Sequence, residues 1–442
     1  MLPIVISHLQ VLPPMKTTVV SHQNGTVRLQ IDIDISGSML EVEERIQDAV
    51  NSVGREATGL ALEQFDTDGS PLMTGPIKWT RRCRNPKTYQ TPYGGVSVER
   101  NVYQTSKGGK VFVPLEDKAR IIRCATPRFA RMLSSKYARL NASDVCDDLL
   151  NNHGREISRG TVQLITERVG SIAQAKEETW EYRIPVLNKA VTHVVCSLDG
   201  AQVLTVNDGW REAMVGTISL YGCDGKRQHT TYFGAAPEHG KATFLKRFER
   251  ELERVKAQYA KAQYLGIADG AKDNWSFLKR HTNRQLLDFF HVTEYLAKVA
   301  WAAYPQKTGQ PEREQWLSDR CHQLKHAPDA ARDILTEMRA FKRKRKLSES
   351  VRGDLLSAIR YFENHLPLMK YWEHVQGNLP IGSGVTEAAC KTLVKQRLCG
   401  SGMRWKDTGI RVVLSLRALV QTPSRWGQFW EKIEQYGVGS YA

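Results

Sequence analysis

The sequence predicts an α/β fold that carries a long helical insertion and follows a mixed α+β N-terminal region. Three observations lead there. Between residues 191 and 292, apolar runs of strand length alternate with helix-periodic stretches in the order strand, strand, strand, helix, strand, helix, strand. Residues 292–370 are then almost wholly helical in pattern and heavily charged. Upstream of residue 116, alternating and Gly/Pro-rich segments favour strands. At 442 residues the chain exceeds one ordinary domain. Its 41% apolar and 25% charged residues support packed cores and exclude wholesale disorder.

Residues 1–36 read as a short β-rich lead, in which TVRLQIDIDI alternates as a strand does. Residues 40–64 have helical spacing and stop at the turn signal Asp66-Thr67-Asp68-Gly69. Residues 78–115 change character, and GGVSVERNVYQ reads as a strand or hairpin. From Pro127 the helical pattern returns. Segment 144–152 is a short helix, His153-Gly154-Arg155 a turn, and Ser158 a cap for a second helix through Val169. Val145, Leu149, Ile157, Val162, Ile165 and Val169 have the spacing to pack these helices together. This is a helix-turn-helix pattern whose second helix would lay Arg159, Thr161 and Gln163 toward a major groove. A helical linker with a glycine turn is the other reading of the same residues.

After Pro185, VTHVVCSLDG is a buried strand ending at Asp199, and AMVGTISLYG and QHTTYFGAA follow it around Cys223-Asp224-Gly225. A helix over about 241–262 aligns Phe244, Phe248, Leu252, Val255 and Tyr259 on one face. QYLGIADG is a strand ending at Asp269, a short helix surrounds Trp275, and QLLDFFHV is a further strand. With the first three strands antiparallel, this is the order of an RNase H-like core. A turn at Asn378-Leu379-Pro380 and the string GSGVTEAACKTLVKQRL lead into another helix. The expected organisation is residues 1–125 as the α+β region, 126–180 as the helix-turn-helix, and 186–442 as the RNase H-like domain with its insertion at about 297–375. GAAPEHGKAT (234–243) has five residues where a phosphate loop needs four, and Ala242 where Ser or Thr should follow, so ATP use is not expected.

Charge narrows the partner. Lys and Arg number 63 against 47 Asp and Glu, a net charge of +16. Residues 1–70 hold ten acids and four bases, whereas 71–135 hold thirteen bases and three acids, and 388–425 eight bases and one acid. Concentrated positive charge favours a polyanion, since each neutralised phosphate releases counterions. No run has the length and apolarity of a membrane span. The first residues lack a secretory pattern, and the eight cysteines form no C-x-x-C pair, so a cytoplasmic, nucleoid-associated protein with reduced thiols is expected.

Asp199 and Asp269 each end an apolar strand and precede glycine. On neighbouring strands their carboxylates would lie about 5 Å apart and repel unless a cation joins them. Mg²⁺ is the natural guest, with Mn²⁺ able to substitute. Glu387 offers a third carboxylate on the helix after Gly382-Ser383-Gly384, and Lys391 and Lys395 follow about 40° and 80° around that helix. Taken singly, these are strand-end turns and surface Glu–Lys pairs.

The set of strings resembles bacterial insertion-sequence transposases of the DDE class, most closely the ISKra-type group. LDG (198–200), IADGAKDNW (267–275), LLDFFHVTEYL (286–296), GSGVTEAACK (382–391) and SGMRWKDTG (401–409) follow that family's blocks in order. The resemblance covers roughly residues 140–430. It implies a catalytic and metal-binding triad of Asp199, Asp269 and Glu387, whose 118-residue second spacing holds the helical insertion. It also implies that Asp288 and His291, as a D-x-x-H signature, brace the site or contact DNA, a histidine bonded to its i−3 carboxylate being the other reading, and that Trp275 stacks on a displaced base, core packing being the other reading there. Relatives often carry cysteine pairs near NVYQTSKGGK, but residues 101–110 contain no cysteine, and Cys83 and Cys124 have no close partners in sequence, so no zinc ribbon is expected. The expected function is a transposase that binds terminal inverted repeats of double-stranded DNA, cleaves them with a metal ion and transfers the strand, acting as a homodimer or larger assembly when two ends are synapsed. An RNase H-fold endonuclease and a catalytically inert regulator descended from a transposase are the alternatives.

Overall fold

The structure, a computed structural model, describes residues 17–238, 241–344 and 347–438. The start of the N-terminal lead and parts of GAAPEHGKAT and of the basic run 341–346 lie outside the described residues. The chain is of mixed α/β type and divides into two units, residues 1–172 with 430–442 and residues 173–429.

In the first unit, β1 (Thr18–Gln23) and β2 (Thr26–Gln30) form a hairpin. The alternation of TVRLQIDIDI runs past Gln30 but the strand does not, because alternation marks a face and does not supply a pairing partner. Helix α1 (Met39–Glu63) starts at a capping box in which Glu41 N–H donates to the Ser38 hydroxyl and Ser38 N–H to the Glu41 carboxylate. Strands β3 (Leu72–Thr74), β4 (Ile77–Thr91), β5 (Gly94–Thr105) and β6 (Gly108–Phe112) form an antiparallel sheet in that order. Leu62, Tyr89, Val96, Val98, Leu115 and Ile121 build its core. Helices α2 (Pro114–Lys118), α3 (Pro127–Tyr137), α4 (Ala142–His153) and α5 (Arg159–Lys176) follow. Helix α4 ends at Gly154 in the left-handed conformation, and the Ser158 hydroxyl accepts from Thr161 N–H at 3.2 Å. Val145, Leu149, Val162, Ile165 and Val169 are fully buried, while Ile157 in the turn is half-buried.

The second unit is built on a five-stranded sheet. Strands β7 (Val191–Thr205), β8 (Gly209–Gly222) and β9 (Arg227–Ala235) form an antiparallel meander, and β10 (Gln263–Ala268) and β11 (Arg284–Leu287) join it in parallel. The spatial order is β11-β10-β7-β8-β9. Between β9 and β10, α6 (Ala242–Gln258) buries Phe244, Phe248, Leu252 and Val255, and α7 (Lys272–His281) links β10 to β11. Strand β7 continues past Asp199 to Thr205, because β8 pairs with it down to Thr205↔Gly209.

Strand β11 stops at Leu287, so Asp288 caps a helix rather than sitting within a strand as QLLDFFHV suggested. Its carboxylate accepts from Phe290 N–H at 3.1 Å and opens α8 (Phe289–Ala303). Helices α9 (Gln310–His326), α10 (Ala330–Lys344), α11 (Glu349–His365) and α12 (Tyr371–Gln376) complete the helical stretch. After it come α13 (Gly384–Ala389), a π-helical turn at Cys390–Lys395, α14 (Gln396–Leu398), α15 (Asp407–Gln421) and α16 (Arg425–Tyr436). Among the described residues no helix is long and apolar enough to cross a membrane.

Candidate active site

The registers of the parallel strands bring three aspartates to one level. Ser197 pairs with Ile267, so continuing both strands by two residues sets Asp199 beside Asp269. Leu287 pairs with Ala268, and the next residue on β11 is Asp288, whose N–H donates to the Ala268 carbonyl at 2.9 Å. The three carboxylates stand at one level of the sheet, midway along β7 and just past the ends of β10 and β11, with neighbouring strands about 4.8 Å apart. Asp199 and Asp269 are half-buried and Asp288 is fully buried.

Each aspartate has a different environment. Asp199 accepts from Gly200 N–H at 2.7 Å and from the Cys390 thiol at 3.3 Å. Burial pushes its pKa up, the two donors pull it down, and the nearby Asp269 charge raises it further, with a net rise. Asp269 accepts from Ala271 N–H at 3.2 Å, and its own carbonyl accepts from the Tyr361 hydroxyl at 2.9 Å. Helix α11 thereby touches the site directly. Tyr361 stacks on Tyr295 with ring centroids 3.9 Å apart. His365 gives its Nδ1–H to the Tyr361 carbonyl at 2.8 Å, which turns Nε2 toward Gly270. Gly270 has φ +113°, and a Cβ there would lie 3.1 Å from His365 Nε2, so only glycine suits both backbone and neighbour.

Asp288 works as a clasp. Its oxygens accept from Ser383 N–H at 3.1 Å, the Ser383 hydroxyl at 2.6 Å, Phe290 N–H at 3.1 Å and His291 Nδ1 at 2.9 Å. Burial alone would push Asp288 up, but these donors outweigh it and hold the carboxyl below its ordinary range. The same bond raises His291 to about 9, so its ring is cationic at neutral pH and lowers the proton affinity of Asp199. Phe289 N–H also donates to the Ile381 carbonyl at 3.1 Å. The approach is close enough that a Cβ on Gly382 would meet the Phe290 ring at 2.9 Å. Residues 381–383, and hence the start of α13, are tied to the end of β11.

Helix α13 lies over β7 and β8, where the buried Thr386 and Thr217 hydroxyls bond at 2.7 Å. It carries Glu387 on its exposed side. Among the described residues no group of three or more His, Cys, Asp or Glu side chains is arranged to hold a metal ion. The residues therefore fit a divalent cation in part. Asp199 and Asp269 offer two oxygen donors of adjacent strands, and burial and the Asp269 charge raise Asp199 despite the nearby His291 cation. Glu387 is not gathered with them into a three-ligand set.

Other sequence-derived candidates fall as follows. Trp275 is 6% exposed and belongs to the core cluster with Phe248, Phe277 and Leu278, so its ring is not presented for stacking on a base. Its position is set by the tight packing of α7 against the sheet, which no local pattern encodes. Lys391 and Lys395 are exposed, but they sit in the π turn, whose wider spiral removes the 40° and 80° offsets computed for an α-helix. Arg159 and Gln163 are exposed at the start of α5, and Thr161 is half-buried with its hydroxyl 2.9 Å from that of Ser158. Arg155, read from sequence as part of a turn, is a buried tie: it donates to the Thr91 carbonyl at 3.2 Å and lies over the Phe129 ring at 5.2 Å. Tyr361 and His365 had no sequence signal pointing to the site, and Ser383 and Cys390 lay in the string GSGVTEAACK without being singled out. No family model and no curated protein matches the chain.

Proposed function

We propose that this chain is a DDE-class transposase on an RNase H-like core, acting on the terminal inverted repeats of its element. The observation that carries the reading is the pairing of Ser197 with Ile267 on parallel β7 and β10, which two residues further on sets Asp199 beside Asp269, at the centre of a sheet whose chain order is 3-2-1-4-5 counted from its first strand. The order and the parallel and antiparallel senses support the RNase H-like assignment, and the excess of basic residues supports DNA as the polyanion.

In this reading Asp199 and Asp269 would hold Mg²⁺ or Mn²⁺, and the ion would supply charge stabilisation for in-line displacement at phosphorus. Asp288 is a positioning residue that fixes the turn before Glu387 through Ser383. His291 sets a positive charge near Asp199 and discourages its protonation. Tyr361 holds the Asp269 main chain from the insertion. Arg159 and Gln163 supply end recognition, while Lys391 and Lys395 meet phosphates. A homodimer or larger assembly on two synapsed ends, in the nucleoid-associated cytoplasm, goes with this function.

A second reading has one observation in its favour. Glu387 is not gathered with the aspartates into a three-ligand set, and the Cys390 thiol donates to Asp199, as in a regulator that binds DNA without cutting it. The two are separated by incubating the full chain with Mg²⁺ and duplexes bearing the inverted repeats that flank its gene. A transposase releases a 3′-OH end and joins it to a target plasmid; an RNase H-fold endonuclease cuts without joining; a regulator binds and does neither.

A further inference from the structure

We propose that β4, in the four-stranded sheet of the first unit, is a docking surface for duplex DNA that grips phosphates without reading sequence. The inference rests on the DNA function proposed above but uses neither the helix-turn-helix nor the aspartates.

Strand β4 changes character along its length. Tyr89 and Thr91 are buried, whereas from Ile77 to Pro86 no residue is buried. That outer half carries Lys78, Arg81, Arg82 and Arg84, all exposed. The acids nearest to it have other partners or lie at its limit: Glu116 is taken by Lys87 at 2.7 Å and Arg100 at 3.5 Å, Asp66 accepts from Asn101, Asp68 beside the Gly69 that Arg81 packs on accepts from Ser70, and Glu99 pairs in register with Pro86. Among the described residues no carboxylate forms an ion pair with Lys78, Arg81, Arg82 or Arg84. Four uncompensated cations within seven residues repel one another, and a polyanion is the partner that relieves this.

Strand β3 covers only the first three residues of β4, leaving one edge of the outer half unpaired. One or two lysines would suffice to protect such an edge from sheet-to-sheet pairing. Here three of the four cations are arginines, whose planar forks suit phosphate oxygens. The ladder slips at Arg82, the position of an extra residue that increases local twist. Trp79 and Phe112, with centroids 5.4 Å apart, stiffen the ribbon. From Lys78 to Arg84 the strand spans about 20 Å, the axial rise of about six phosphates on one DNA strand. The groove-sized, twisted β-ribbon and its charge fit the duplex backbone.

The test uses the full chain and its Lys78→Gln/Arg81→Gln/Arg82→Gln/Arg84→Gln variant. Affinity for cognate and scrambled duplexes is read by anisotropy over a series of salt concentrations. The expected result is that log affinity against log salt flattens by about 0.9 per lost contact, about 3.6 for all four. Cognate and scrambled affinities should fall by the same factor. A variant with Arg81, Arg82 and Arg84 all changed to Lys retains the charge and should retain the slope; a collapse there would expose a folding defect and overturn the attribution to charge. Wild-type binding with an unaltered slope in the glutamine variant overturns this proposal alone. Absence of any wild-type DNA binding overturns it together with the transposase reading, whereas a flattened slope without cleavage overturns only the latter. Loss of binding to phosphatidylserine vesicles with no change on DNA would assign the ribbon to membranes and overturn it.

Discussion

Replacing Asp288 by Asn is the most informative structural perturbation, because it preserves the size of a fully buried side chain and removes only its charge and one acceptor. The carboxylate serves four donors, two of them from Ser383. An asparagine oxygen can keep the Ser383 and Phe290 amides. Its NH₂ then faces the Ser383 hydroxyl and His291, which must turn from donors into acceptors. All four bonds lose charge assistance, and the two facing the NH₂ must also reverse, at a loss of about 1 kcal/mol for each reversed bond, or about 2 kcal/mol as a lower figure. The cost falls on residues 381–390, since Ser383 anchors that end of α13. Hydrogen exchange of peptides over this segment reads it locally, without requiring two units to unfold as one. A loss of about 2 kcal/mol corresponds to about 30-fold faster exchange. Ser383→Ala should produce a comparable change, and the double variant should be less than additive by about 1 kcal/mol. Exchange across 381–390 within about threefold of wild type, or full additivity of the pair, would refute the clasp.

Three further outcomes follow from the same structure. His291 is raised from 6.5 to about 9, so the stability it contributes is fully present below about pH 6.5 and lost as pH rises through about 9; the difference in melting temperature between wild type and His291→Gln should shrink over that window, and a constant difference would contradict the pairing with Asp288. Changing Lys391 and Lys395 to Gln should lower the salt slope of DNA binding by about 0.9 each and weaken all sequences alike, measured by anisotropy; an unchanged slope would remove both from the DNA interface. Gln163→Ala should cost about 1–3 kcal/mol of preference for cognate over scrambled ends, and equal loss on both would show that α5 does not read bases.

Much of the second unit was legible because each strand is a short apolar run closed by a turn, and the chain order of those runs constrains how they pair. The Asp199–Asp269 pair was visible for the same reason. The boundary at Asp288 was not: Phe289-Phe290-His291-Val292 has strand-like composition, and only the cap bond to Phe290 N–H shows that the chain has entered a helix. Nor was the contact of Cys390 with Asp199, which joins residues 191 positions apart. Packing decides Trp275 in favour of its core reading and makes Arg155 a buried tie. An aromatic after a catalytic-looking aspartate lies in the core, and an arginine in a polar turn is buried, because burial is decided by what packs on top. The π turn at Cys390–Lys395 leaves no mark in the hydrophobic period, so helix-face arithmetic carried past it fails.

In the proposed reading Asp199 and Asp269 would hold the metal, and Glu387, exposed on α13, would serve cleavage of the element's ends with them. Cleavage and DNA affinity should be measured side by side for the full chain and for Asp199→Asn, Asp269→Asn and Glu387→Gln. Loss of residues that only support a metal ligand typically costs about 10–100-fold, so loss of a ligand should exceed about 100-fold while end binding holds within a few-fold. Cleavage by any of the three variants close to the wild-type rate, with the protein folded and bound to its ends, would contradict the assignment of that carboxylate.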